Sequence, residues 1–299
     1  MNLPHWLRSA GLYLTAVASL HSAHAGSRIA QAKHASVNRV HHPRTFAYRR
    51  RKITEVSFVV AGVQKAGTTA LHGFLAKHPE IALPRDQALH FFDTDKHFIG
   101  EPDYRILHEN FRAKRGWRVA GETTSGYVYW PTAMERIARY DAKMKIIVSL
   151  RNPVDRAFSH WNMRCKTGQE SLDFLDAVKR DENVPAGFVE NERQHPYLER
   201  GRYVPQIERI FRHFPREQVL VIKYEDFRRD YAKTVAEVFD FIGVERLRDL
   251  QNEERNVGGY HRKVTDDERL YVTRLFADDI WELERLLGWD CADWLRAVT

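Results

Sequence analysis

The run FVVAGVQKAGTTALHGFL, residues 58 to 75, constrains the fold most. An apolar stretch enters a glycine loop and leaves it as a helical pattern. Val56 to Ala61 is dominated by β-branched and apolar residues, as in a strand covered on both faces by other elements. Beyond the loop, Ala70, Leu71, Phe74 and Leu75 recur at helical spacing until His78-Pro79 ends the helix. Main-chain N–H groups at such a helix start, here those of Ala66, Gly67, Thr68 and Thr69, have no partner within the helix and favour a bound phosphate. Gly62 and Gly67 keep the spacing of the nucleotide-hydrolase loop G-x-x-x-x-G-K-[ST]. Thr68 stands in the lysine slot, however, and Lys65 lies inside the loop.

From about Ile53 onward, strand-like runs alternate with helical patterns, which predicts an α/β fold with a central, mostly parallel sheet flanked by helices. Further strands are expected at Trp117 to Gly121, Lys145 to Leu150 and Gln218 to Lys223. Helices are expected at Thr132 to Tyr140, Pro153 to Cys165, Val204 to Phe214 and Tyr231 to Ile242. The last helix opens on the capping box Thr265-Asp-Asp-Glu268 and closes at Gly288.

Net charge is +7, but residues 1 to 54 contain nine Lys or Arg and no acid, so the remainder holds 38 basic against 40 acidic residues. The basicity belongs to this extension, 1–52, and the domain at 53–299 offers no groove for a nucleic acid. The first 25 residues combine a weakly basic start, about ten apolar residues and Ala23 and Ala25 at a signal-peptidase spacing. They fit a secretory signal, a transit segment or an unstructured basic extension, and are too short to span a bilayer. Cys165 and Cys291 are the only cysteines, so no disulfide framework is signalled.

A second strand-to-helix turn lies in KIIVSLRNPVDRAFSHW, residues 145 to 161. Asn152 serves as N-cap, Pro153 as first helical residue and Asp155 as a first-turn acid. Arg151 sits at the carboxyl end of the strand, where open α/β sheets place ligands. Ser159 follows about two helical turns later.

Together these segments resemble the sulfotransferases that use 3′-phosphoadenosine 5′-phosphosulfate (PAPS), in particular the heparan-sulfate branch and its bacterial relatives. The likeness covers roughly residues 53 to 290 and extends through GETTSGY at 121, YLERGRYVPQIERIFRHFP at 197, LVIKYEDF at 220 and NVGGYHRK at 256. It implies a P-loop-like three-layer fold. It also implies a 5′-phosphosulfate held by Lys65, Ala66, Gly67, Thr68 and Thr69, and a 3′-phosphate held by Arg151 and Ser159. Gly258, Gly259 and Tyr260 are expected to close over the nucleotide, with Arg262 as a further phosphate contact. The family's lysine sits within the loop, as Lys65 does here, and the resemblance implies that Lys65 is to meet the bridging oxygen. PAPS is expected as co-substrate without a required metal, the acceptor as a carbohydrate or other polar molecule. For a bacterial protein the cytoplasm, where the donor is made, is the expected location.

The resemblance weakens on the acceptor side. Relatives resemble K-E-x-H-F-F-D where this chain has Gln87-Ala-Leu-His-Phe-Phe-Asp93, so Ala88 replaces the glutamate. Thr123 replaces the lysine of their E-K-S-P stretch. His90 and Asp93 match, and His90 is expected to act as base, oriented by Asp93, with Asp86 or Glu122 as substitutes. A metal cluster of His90, Asp93, Asp95 and His97 is conceivable. Two other readings remain open: a Mg–ATP kinase or hydrolase, against which the missing G-K-[ST] order counts, and a non-catalytic nucleotide binder, motivated by Ala88 and Thr123.

Overall fold

A computed structural model of the chain describes residues 52–183, 196–247 and 259–296. Five strands, β1 (Phe58–Gly62), β2 (Ile81–Ala82), β3 (Val119–Thr123), β4 (Lys145–Leu150) and β5 (Val219–Lys223), form one sheet in the order β2-β3-β1-β4-β5. Every pairing is parallel. The helices are α1 (Thr68–Lys77), α2 (Arg105–His108), α3 (Ala133–Tyr140), α4 (Pro153–Lys166), α5 (Phe174–Glu182), α6 (Val204–His213), α7 (Tyr224–Arg229), α8 (Tyr231–Ile242), α9 (Asp266–Leu287) and α10 (Ala292–Leu295).

Alternation along the strands divides the core into two layers. Phe58 and Val60 of β1, with Ile147 of β4 and Ile222 of β5, pack against Leu71, Phe74 and Leu75 of α1 and Val235, Val238 and Phe239 of α8. The intervening Val59 and Ala61, with Ile146, Val148 and Leu150, face α3, α4, α6 and α9 through Ile137, Phe158, Ile207 and Phe276. Both faces of the sheet are thus covered, which is why β1 reads as an unbroken apolar run and β4 is apolar but for Lys145 and Ser149. The arrangement is the α/β three-layer fold expected from the sequence.

The caps follow the local sequence. Asn152 Oδ1 accepts from the N–H groups of Val154 (3.0 Å) and Asp155 (3.3 Å), with Pro153 at the first helical position of α4. Thr265 and Glu268 form the reciprocal capping box of α9, and Gly288 ends that helix with φ 68°. Among the described residues no helix is long and apolar enough to cross a membrane, and both cysteines are free thiols. The N-terminal segment and Gly258 lie outside the described residues.

Candidate active site

The loop between β1 and α1 is pinned from two sides. Val63 N–H donates to Ser149 O of β4 (2.9 Å), and Ala66 N–H donates back to Val63 O (3.2 Å). Gly67, at the helix N-cap, has φ 79°, and a Cβ there would stand 2.7 Å from Cε2 of Tyr224, so position 67 admits only glycine. Lys65 also occupies the left-handed region, at φ 74°. Thr68 is buried and Thr69 exposed. Burial pushes the Lys65 ammonium below its ordinary value; Tyr260 opposes this, while Arg151, Lys166 and Arg156 add to it.

Arg151 joins the two strand-end crevices. Its Nη1 donates to the Lys65 carbonyl (3.1 Å), its guanidinium lies 5.0 Å over the Tyr224 ring, and its Nη2 donates to the Tyr260 hydroxyl (3.4 Å). Ser159, buried on α4, also hydrogen-bonds Tyr260. Burial alone would raise the Tyr260 phenol, but Arg151, Ser159 and Lys65 outweigh it and the net shift is downward. Arg151 and Ser159 therefore meet at one hydroxyl, a convergence that spacing alone left open.

The strap carrying Tyr260 is fastened to α4. Lys166 Nζ donates to Gly259 O, His261 N–H to Asn162 Oδ1 (3.2 Å), and the Tyr260 ring stands edge-on to Phe158. Arg262 is engaged elsewhere: its guanidinium forks onto both carboxylate oxygens of Glu268 (2.6 and 2.7 Å) and covers the rings of Phe158 and Trp161. Further along α4, His160 is held neutral, first by burial and then by Arg156, Arg200, Arg164 and Lys65. This gathering of cations gives the crevice a positive field suited to a multiply charged anion.

On the other side of β1, His90 Nδ1 lies 2.8 Å from Asp93 Oδ2, with the imidazole half exposed and the carboxyl buried. A Cβ at Gly126 would come within 3.0 Å of Asp93 Oδ2, so glycine there makes room for the pair. Ala88 and His90 have φ 63° and 52°. The non-glycine residues with positive φ among those described are therefore Lys65, in the β1–α1 loop, and Ala88 and His90, in this one. The 88–93 loop hangs on the end of β3: Ala88 N–H donates to Thr123 O (2.9 Å). That end is in turn tied to β1 through Thr124 N–H on Val60 O (3.1 Å). Asp95 is committed to Arg136 and His97 stacks on Phe91, and among the described residues no group of three acids, histidines or cysteines could hold a metal ion. An open cleft of about 450 Å³ along β5, lined by Leu220, Ile222 and Trp289 among others, contains none of the candidate residues.

Residues 56–255 match the family described as "Sulfotransferase domain". The chain belongs to the sulfotransferase family. Its curated relatives include mouse heparan sulfate glucosamine 3-O-sulfotransferase 3B1, 31% identical over 63% of this chain and 46% of the relative. Human bifunctional heparan sulfate N-deacetylase/N-sulfotransferase 3 is 30% identical over 62% of this chain and 22% of that protein. This sulfotransferase-family chain thus spans less than half the length of these curated relatives. A sulfotransferase structure from Alicyclobacillus acidocaldarius superposes with TM-score 0.68 and 29% identity, covering 81% of this chain and 99% of that one.

Some residues around the candidate site of this sulfotransferase-family chain carried no assignment in the sequence. Tyr224 packs against both Gly67 and Arg151, and Tyr203 Oη donates to the Arg151 carbonyl (2.7 Å). Glu225 Oε1 accepts from Asn152 N–H (2.9 Å). Tyr224 and Glu225 lie in LVIKYEDF, a segment singled out by resemblance, but only the parallel pairing of β5 beside β4 brings them to the loop.

Proposed function

We propose that the protein transfers the sulfuryl group of PAPS to a hydroxyl or amine of a carbohydrate or similar polar acceptor by in-line displacement. The observation that carries this reading is the Arg151 guanidinium seated on the Lys65 carbonyl, which makes the two crevices one site. A nucleotide with phosphate groups at both ends of its ribose can bridge them. Backbone N–H groups at the start of α1 bind the 5′-phosphosulfate, and Arg151 and Ser159 bind the 3′-phosphate. Lys65, partly desolvated, meets the bridging oxygen as the sulfur–oxygen bond breaks and adenosine 3′,5′-bisphosphate leaves.

For a hydroxyl acceptor, its oxygen forms the new bond to sulfur and its proton passes to His90. With Nδ1–H donated to Asp93, Nε2 is the basic nitrogen of the ring. Positioning and charge stabilisation supply most of the rate, as in phosphoryl transfer, and the base adds a factor of about 10²–10⁴. The heparan-sulfate relatives favour a saccharide acceptor.

Calorimetry with adenosine 3′,5′-bisphosphate and with ADP, each with and without magnesium, tests the reading. Tight, magnesium-independent binding of the bisphosphate and weak binding of ADP is expected. Preference for Mg–ADP would sink it in favour of a nucleotide hydrolase or kinase.

A further inference from the structure

Behind the His90 loop lies a carboxyl group for which the transfer scheme above has no use. Glu122, at the end of β3, is completely buried. Its Oε2 accepts from Thr124 Oγ1 (2.9 Å), its Oε1 has no hydrogen-bond partner among the described residues, and the Tyr127 hydroxyl acts on the same carboxyl group. Those two hydroxyls in turn receive the main chain of the loop. Phe91 and Phe92 N–H donate to Tyr127 Oη at 3.1 and 3.4 Å, and His90 N–H makes a longer 3.5 Å approach to Thr124 Oγ1.

A hydroxyl has one proton to give and two lone pairs to offer, whereas an ionised carboxylate only accepts. The carboxylate therefore draws the Thr124 proton inward and turns that hydroxyl's lone pairs towards the loop, while Tyr127 Oη, its lone pairs taken by Phe91 and Phe92 N–H, has its proton left for the same carboxyl group. The loop so held includes the left-handed Ala88 and His90, a conformation that persists only where surroundings over-determine it. We propose that Glu122 is a positioning residue of the transfer site: through the hydroxyls of Thr124 and Tyr127 it fixes the main chain of residues 90–92 and so aims the His90 imidazole. The inference rests on the reading of His90 as base.

Titratable groups around Glu122 are Tyr127 from beyond β3 and Asp93 and His90 from the loop; Arg200 acts one step further out, on Asp93. Burial pushes the Glu122 carboxyl up and Asp93 adds to this, while the hydrogen bonds from Tyr127 and Thr124 and the charge of His90 oppose it, leaving it at about 7. The lock therefore loosens as pH falls through neutrality.

Glu122→Gln keeps the shape but exchanges a charged acceptor for a neutral amide, and with its oxygen on Thr124 its N–H₂ meets the Tyr127 hydroxyl as a donor instead of an acceptor. The expected result is a 10- to 100-fold fall in kcat, donor KM within about twofold of wild type, and shifted amide resonances of residues 90–92 in nuclear magnetic resonance. Placed on a Thr124→Val/Tyr127→Phe background, the same change should have no further effect, because the struts through which it acts are gone. Unmoved 90–92 resonances with unchanged kcat, or full additivity with the strut variants, would overturn the proposal. Should the glutamine variant fail to fold, Tyr127→Phe alone gives the same amide readout: shifted 90–92 resonances support the proposal and unmoved ones overturn it. Retention of turnover in His90→Asn, with the resonance shifts still present in Glu122→Gln, would remove the base assignment and leave the positioning role standing.

Discussion

The proposed function divides the work at the donor end between Lys65 and Arg151, and their variants should separate the two roles. Lys65→Ala is expected to lower turnover by roughly 10²–10³-fold with little change in nucleotide affinity, the pattern of an interaction made in the transition state. Arg151→Ala should instead weaken binding of adenosine 3′,5′-bisphosphate by about 2–3 kcal/mol, the range of a charged hydrogen-bonding partner. Equal effects of both on affinity alone, by calorimetry, would contradict the division. On the acceptor side, the two departures from the family pattern turn out to touch, since Ala88 N–H bonds Thr123 O. Losing a glutamate and a lysine together leaves no unpaired charge, so Ala88→Glu alone should gain nothing, whereas Ala88→Glu with Thr123→Lys should raise turnover. The raised carboxyl of Glu122 also ties stability to pH. Its folded-state value of about 7 exceeds the ordinary 4.5, so the folded protein holds this proton longer than the unfolded chain. The stabilisation is complete below about pH 4.5 and is lost as pH rises through 7, about 3 kcal/mol in all. Urea unfolding of wild type against Glu122→Gln across pH 4.5–8 should show the gap moving in that sense.

Regular elements were legible where a single periodicity ruled. β4 spans the expected Lys145–Leu150, α8 the expected Tyr231–Ile242, and the box and glycine of α9 stand where the sequence put them. β1 and β3 each begin and end later than apolar content suggests. Register sets their limits: Phe58 pairs with Gly121 and Val60 with Thr123, which carries β3 through the polar Glu122-Thr123. β2, with two residues, and the single-turn α2 and α10 are too short for a period to show. α6 depends on a long-range contact that its own sequence does not announce. Tyr203, its N-cap, has no capping side-chain bond, and Asp279 of α9 accepts from the N–H groups of Tyr203 (2.8 Å) and Val204 (3.2 Å). Asp279→Ala should cost about 2 kcal/mol, the upper end for a lost cap, read as a lower urea midpoint at unchanged slope.

At the scale of the molecule, the candidate donor site could be put together from the sequence because its residues sit in two short contiguous motifs, each a strand followed by a helix. The acceptor side could not, since the His90 loop, the end of β3 and Tyr127 are assembled by tertiary bonds across about 40 residues of chain. β1 at the centre of the sheet, with β3 and β4 beside it, explains how both halves meet. Ligand occupancy should therefore stabilise the whole fold. Adenosine 3′,5′-bisphosphate at a hundredfold excess over its Kd is expected to add about 2.7 kcal/mol and raise Tm by roughly 5–10 °C. Arg151→Ala at the same ligand concentration should show a much smaller rise. The left-handed backbone at Lys65, Ala88 and His90 has a further implication for laboratory evolution. Replacing such residues by glycine relieves torsional stress of about 1 kcal/mol or more each, so selection for heat resistance alone would enrich glycine at 65 and 90 and, under the proposed function, yield hardier proteins with much slower turnover.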